Sequence, residues 1–313
     1  MKKLHICYVV LSGFLCMALL CGCASQKSGE ATKTPDSKLS SSKKEMNQNS
    51  QKKSLAVKTD ENKKTIDKNN KLDETQPAIP LENLSNKTYG WGLVKVKGAP
   101  PRADQKMSAL LAQYNGFYID AKPSKKALYL TFDEGYENGN TAKILDVLKA
   151  KKAPATFFIT GPYIKTESEL VLRMLKEGHI VGNHTIHHPS MPSVTDNTVL
   201  QKELLDLDEE FYDLTGKNMK YVRPPRGEFS ERTLALTKNL GYRTVLWSFA
   251  YKDWITDAQQ GTNYAFNAII PFLHSGEILL LHAASSDNAG ALSQVIDYAR
   301  SQGYEFYSLD SIK

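Results

Sequence analysis

Residues 128–132 alternate. Leu128, Leu130 and Phe132 face one way, Tyr129 and Thr131 the other, the two-residue period of a strand. Asp133 and Glu134 follow at once, and Gly135 then breaks the strand. Neighbouring strand residues face opposite sides, so both acids reach one site only where the strand gives way to a turn. From here the chain switches repeatedly between two periods. Residues 140–151 set Ile144, Leu145 and Leu148 on one helical stripe, and 155–160 read as a buried strand. Residues 167–177 form a helix through Leu170, Val171, Met174 and Leu175, closed by Gly178, and 179–185 are strand. A long amphipathic helix, Asn197–Thr215, ends at Gly216 and leads to a strand at 220–223. Ser230 caps a helix over 230–239, with Gly241 after its end. Strands follow at 243–248, 277–282 and 305–309, with helices at 262–274 and 288–302. Upstream, Met107, Leu110, Leu111 and Tyr114 give 106–115 helical spacing. Tyr89 and Trp91 form a packing lead-in, and Pro100-Pro101 a rigid bend.

Strand-helix alternation over this length implies an α/β fold with a parallel sheet covered by helices. About seven strands suit an irregular (β/α) barrel better than an open sheet. No glycine fingerprint follows the first strand, which argues against a dinucleotide fold.

Composition divides the 313 residues unevenly. Residues 24–80 contain no Phe, Tyr or Trp and carry 12 Lys against 8 Asp and Glu. Such a segment buries too little apolar surface to offset chain entropy, so it reads as a disordered linker. The folded domain is then 81–313. The net charge of +6 owes much to that linker, and no basic, aromatic-rich patch points to nucleic acid. All four cysteines, Cys7, Cys16, Cys21 and Cys23, fall within residues 1–23, which leaves the domain without disulfides or thiolate metal sites. Lys2 and Lys3 precede the apolar run 6–21, short for a membrane-spanning helix. Its end, Leu20-Cys21-Gly22-Cys23, resembles a bacterial lipoprotein box with Cys23 as the lipidated residue. The alternative is an uncleaved signal anchor. Both readings tether an extracytoplasmic domain to the cell membrane.

The strongest chemical signal is Gly182-Asn183-His184-Thr185-Ile186-His187-His188-Pro189. Histidines four apart lie on one face of a helical turn, close enough to grip one metal ion. His184 with His188 has that spacing, and His184 with His187 is the rival pair. With Asp133 or Glu134 as third ligand the set leaves a position open for water, as catalytic zinc requires.

Thr131-Phe132-Asp133-Glu134-Gly135, His184-Thr-Ile-His-His188 and Arg223-Pro-Pro-Arg-Gly227 resemble the first three motifs of the polysaccharide deacetylases (NodB-type, carbohydrate esterase family 4). Asp253-Trp254 and Leu280-Leu281-His282 are similar to the fourth and fifth. Glu137-Asn138-Gly139, the 247–254 stretch and 281–289 resemble one subfamily in particular, the delta-lactam-biosynthetic de-N-acetylases of spore-forming bacteria. The resemblance implies an irregular (β/α) barrel and metal-dependent removal of acetyl from muramic acid in peptidoglycan. It also implies a divalent metal, zinc by expectation, and glycan strands whose peptides an amidase has stripped.

Carried over, Asp133 is the general base, Arg223 fixes and ionises it, and His184 and His188 hold the metal. His282 is the general acid, oriented and kept charged by Asp253, and Trp254 walls the groove. Most of the family has a second Asp where this chain has Glu134, one methylene longer, although the delta-lactam subfamily tolerates a non-Asp residue there. Ligation by Glu134 is therefore the open point. The backbone amide of Tyr136 is a candidate oxyanion donor. Arg226 stands where much of the family has an aromatic, and its charge suits the lactyl carboxylate of muramic acid. Alternatives are deacetylation of N-acetylglucosamine in peptidoglycan or chitin-like chains, or a glycan-binding lipoprotein with a decayed site. A two-carboxylate glycosidase fits poorly, because adjacent acids do not flank a glycosidic bond at the roughly 5–9 Å such enzymes use.

Overall fold

The computed structural model describes residues 77–123 and 125–313. The expected signal segment, Cys23 and all but the last residues of the expected linker lie outside them. In chain order the elements are β1 (Tyr89–Gly90), β2 (Leu93–Val96), β3 (Ala99–Ala103), α1 (Gln105–Gln113), β4 (Ala127–Glu134), α2 (Thr141–Lys151) and β5 (Ala155–Ile159). Next come α3 (Gly161–Thr166), α4 (Ser168–Lys176), β6 (Ile180–Asn183), α5 (Asn197–Thr215), β7 (Tyr221–Val222), β8 (Glu228–Phe229) and α6 (Glu231–Asn239). The chain finishes with β9 (Arg243–Thr244), α7 (Thr262–Ile269), β10 (Glu277–His282), α8 (Ser286–Ser301) and β11 (Glu305–Phe306).

One parallel sheet runs in the order β10-β4-β5-β6-β7-β9, with β11 also paired to β4. The segment after β9 then returns to β10 through a bridge between Phe249 and Leu279. The sheet curls into an irregular (β/α) barrel, as the alternation of periods predicts. β4 pairs with β10, β5 and β11, and every one of its residues is buried. Its period-two pattern sorts two cores. Leu128, Leu130 and Phe132 pack outward with Ile144, Leu145 and Leu148 of α2 and Val295 and Ile296 of α8. Tyr129 points the other way, to Phe158, Tyr221 and Ile278 inside the curl. Burial of both faces is what a parallel strand requires.

Several boundaries move. The strands expected at 220–223, 243–248 and 305–309 shrink to two residues each, because their C-terminal parts leave the ladder as loops. The helix expected over 262–274 stops at Ile269 and tightens into a 3-10 turn at Ile270–Phe272, where Pro271 lacks an N–H. α8 begins at Ser286, capped by Ser285, so Asn288 lies within its first turn. Pro100 and Pro101, expected as a bend, sit in β3 of a two-stranded sheet. β1 pairs with β8 and brings Trp91 onto the barrel.

Candidate active site

The sheet register brings the chemical residues to one end. His282 is paired with Asp133 across β10 and β4. Asn183 is paired with Val222 across β6 and β7, so His184 and Arg223 leave their strands at the same level. These are the C-terminal ends of parallel strands, where α/β folds place their sites. Asp133, His184, His188, Arg226, Trp254 and His282 share a cleft of about 570 Å³, walled also by Trp91, Trp247 and Tyr251.

Asp133 and Arg223 form a buried pair. Arg223 is fully buried and donates from Nη1 to Asp133 Oδ1 at 2.7 Å and from Nη2 to Thr131 Oγ1 at 2.8 Å. Its Nε donates to the Val245 carbonyl at 3.3 Å, and its guanidinium lies 4.2 Å from the centre of the Phe158 ring. A buried charge is tolerated only with partners of this kind. Burial alone would raise the Asp133 carboxyl, but Arg223, with His184 and His282, outweighs it and holds it below the usual carboxylate range.

His184 and His188 come together, with ring centres 4.8 Å apart. The helical turn expected between them is absent. Residues 184–188 are a loop in which Thr185 (φ 67°) and His188 (φ 57°) take left-handed backbone. Side chains pay for those φ values: the Thr185 amide donates to Asn183 Oδ1 at 2.8 Å, and the His188 amide to Thr185 Oγ1 at 3.0 Å. Glu203 of α5 anchors the loop through the Ile186 and His187 amides. The rival ligand, His187, points out to solvent and pairs with Glu203 at 2.8 Å.

The imidazoles suit a metal. His184 Nδ1 lies 2.8 Å from the Arg223 carbonyl, which assigns the proton to Nδ1 and leaves the Nε2 lone pair free. Burial pushes the His184 imidazole down to about 4 and also lowers His188, so both are neutral near pH 7, as ligands must be. His184 Nε2 then faces Asp133 Oδ2 at 3.6 Å, acceptor to acceptor, with no proton between them. A cation satisfies that juxtaposition. Among the described residues no three His, Cys, Asp or Glu side chains converge closely enough to enclose an ion. The two histidines would therefore hold it with positions left for water and substrate.

Glu134 corrects the expectation of a third ligand. As the next residue along β4 it points away from Asp133, is buried, and lies 3.4 Å from the Thr141 hydroxyl of α2, which also contacts Glu137. Burial, reinforced by nearby Glu137, raises its carboxyl well above the usual range. A carboxyl kept neutral behind the sheet is a poor ligand.

His282 and Asp253 form the opposite wall. His282 Nδ1 is 2.7 Å from Asp253 Oδ1, and the His282 amide donates to Oδ2 at 2.9 Å. Burial alone would lower the imidazole, but Asp253 and then Asp133 raise it overall, which favours a proton on the ring. Trp254 is half-exposed at the rim, its ring centre 5.6 Å from that of His282. Arg226, at φ 59°, puts an exposed guanidinium on the cleft, whereas the exposed Tyr136 ring is not part of its lining. The sequence points to no place in the cleft for Trp91, which donates Nε1–H to the Trp247 carbonyl at 2.9 Å, or for Tyr251 and Asn288, which meet beside Asp253. The long separations along the chain hide these contacts.

Residues 120–245 match the polysaccharide deacetylase family, and the chain belongs to it. It is 45% identical over 237 residues to the peptidoglycan-N-acetylmuramic acid deacetylase PdaA of Bacillus subtilis, covering 75% of this chain and 89% of that protein. The solved structure of B. subtilis PdaA, a family 4 carbohydrate esterase, matches with a TM-score of 0.71 at 44% identity over 73% of this chain and 98% of that one. A family 4 carbohydrate esterase from Bacillus anthracis matches with a TM-score of 0.62 at 49% identity, over 73% and 97%.

Proposed function

We propose that the protein removes the acetyl group from N-acetylmuramic acid residues of peptidoglycan, with a divalent metal, expected to be zinc, held by His184 and His188. The carrying observation is the buried Asp133–Arg223 pair facing the His282–Asp253 pair across one cleft, in a chain closely similar to PdaA. A bound metal would polarise the amide carbonyl and acidify the attacking water. Asp133 takes the proton of that water as it adds to the carbonyl carbon, and Arg223 keeps the carboxylate ionised and aimed. His282 gives its proton to the amide nitrogen as the C–N bond breaks, so acetate and a free amine leave. The Tyr136 backbone amide is a further donor for the developing oxyanion. Arg226 binds the lactyl carboxylate, which glucosamine lacks, and Trp254 walls the sugar. The amine set free beside that lactyl group is the precursor of muramic delta-lactam in spore cortex, and the proposed substrate is a strand whose peptides an amidase has already removed.

Mass spectrometry of glycan strands incubated with the protein, with and without zinc, tests the reading. Zinc-dependent loss of acetyl from muramic residues, abolished by Asp133→Asn and by His184→Ala, is the expected result. Loss from glucosamine instead assigns the other sugar. No loss from any glycan leaves only binding. We also propose that Cys23 carries the lipid that holds the domain at the outer face of the cell membrane. Cys23→Ser is expected to move the protein out of the membrane fraction.

A further inference from the structure

Asp253 sits in a loop with little structure of its own. Between β9 and α7 the chain forms no strand, and its backbone meets β10 at Ser248 and Phe249, four residues before Asp253. Its position is set from the start of α8. Gln259 donates Nε2–H to the Asp253 and Ile255 carbonyls at 3.0 and 2.8 Å, and its Oε1 accepts the Ser285 hydroxyl at 2.6 Å. Asp287 accepts the Gln260 and Gly261 amides at 2.7 and 2.8 Å. Asn288 reaches the carboxylate itself. Its Nδ2 donates to Asp253 Oδ2 at 2.6 Å and to the His282 carbonyl at 3.1 Å, while its Oδ1 accepts the Tyr251 hydroxyl. The side chain is 2% exposed, so water does not substitute for these partners. The amide also has one workable orientation. Turned over, it would set its oxygen against the Asp253 carboxylate and the His282 carbonyl, acceptors with no proton to give.

We propose that Asn288 is a positioning residue for the proton-donating pair. With the His282 amide it holds Asp253 Oδ2 so that Oδ1 meets His282 Nδ1, and the Tyr251 hydroxyl completes the amide's bonds from the other side. The inference rests on the reading of His282 as the acid of a deacetylase. A short side chain from the first turn of α8, rather than the loop, then sets the carboxylate's rotation. Oδ2 takes two donors, Asn288 Nδ2 at 2.6 Å and the His282 amide at 2.9 Å, and the shorter one comes from outside the His282 residue that the carboxylate has to orient.

A double-mutant cycle on acetate release by the full chain tests this. Asn288→Leu is expected to lower kcat about 10–100-fold, the size of a lost hydrogen bond to a charged group, with KM within about twofold. In an Asp253→Asn background the same change lowers kcat no further, since residues acting through one network do not add. Tyr251→Phe, which deletes one oxygen and spares the packing, gives a smaller kcat loss that also vanishes in that background. Losses that multiply in the double variants, or a loss confined to KM, overturn the proposal. If the unaltered protein releases no acetate, the deacetylase reading itself fails and takes this inference with it. A normal unaltered rate with multiplying losses overturns this inference alone.

Discussion

Protons decide what each residue of the cleft does. His282 acts as an acid only while protonated, and Asp253 raises its pKa, so its working form persists to higher pH than a free imidazole and is lost as pH rises through the raised value. Asp133 acts as a base only while ionised, and its pKa is lowered, so its working form persists to lower pH than a free carboxylate. The expected kcat/KM profile is a bell with its acid limb below the ordinary carboxylate range and its alkaline limb above the ordinary imidazole value. Asp253→Asn removes the largest of the groups that raise His282 and leaves burial, which lowers it, opposed by Asp133 alone, so the alkaline limb moves to lower pH. An unmoved limb in metal-saturated assays would exclude His282 as the acid. At this scale the sequence spoke clearly about residue types and less clearly about direction. Asp133 and Glu134 are adjacent acids, and the strand's alternation requires them to part. Only the packing of Thr141 and Arg223 on opposite faces decides which one enters the cleft.

Elements set the site's geometry through close approach. Gly182 on β6 lies two residues before His184, and a Cβ there would come within 2.6 Å of the Phe158 ring. Gly182→Ala is expected to destabilise the fold by about 1–3 kcal/mol through overpacking. It would also weaken zinc binding by displacing His184. Urea unfolding and a zinc titration check both, and an unchanged unfolding midpoint would mean that β6 yields without cost. The spacing of His184 and His188 was legible, but its helical reading was not. The four-residue interval suits a helix, yet Asn183, Thr185 and Glu203 stabilise a left-handed loop that brings the rings together by another route.

The whole molecule closes its cleft with residues distant in sequence. Trp91 arrives on the N-terminal lead-in, its amide donating to the Gly227 carbonyl and its indole to the Trp247 carbonyl, both at 2.9 Å. It is 6% exposed and packs with Leu111, Phe229 and Leu246. Trp91→Ala is expected to cost about 3–5 kcal/mol of stability. It should also raise KM for glycan strands, which thermal unfolding and steady-state kinetics would separate. The sequence by itself determined the alternation of strands and helices, the end of β4 as the bearer of acids, and the residue types of the chemistry. Those follow from local period and composition, which neighbours along the chain suffice to express. Only the tertiary structure decided that Glu134 turns away, that His187 faces solvent, and that Trp91, Tyr251 and Asn288 complete the cleft. Those depend on register between strands and on contacts across more than thirty residues of chain, as between Asp253 and Asn288 or Trp91 and Trp247. Chain entropy opposes such contacts until the whole core forms, so no local pattern in the sequence announces them.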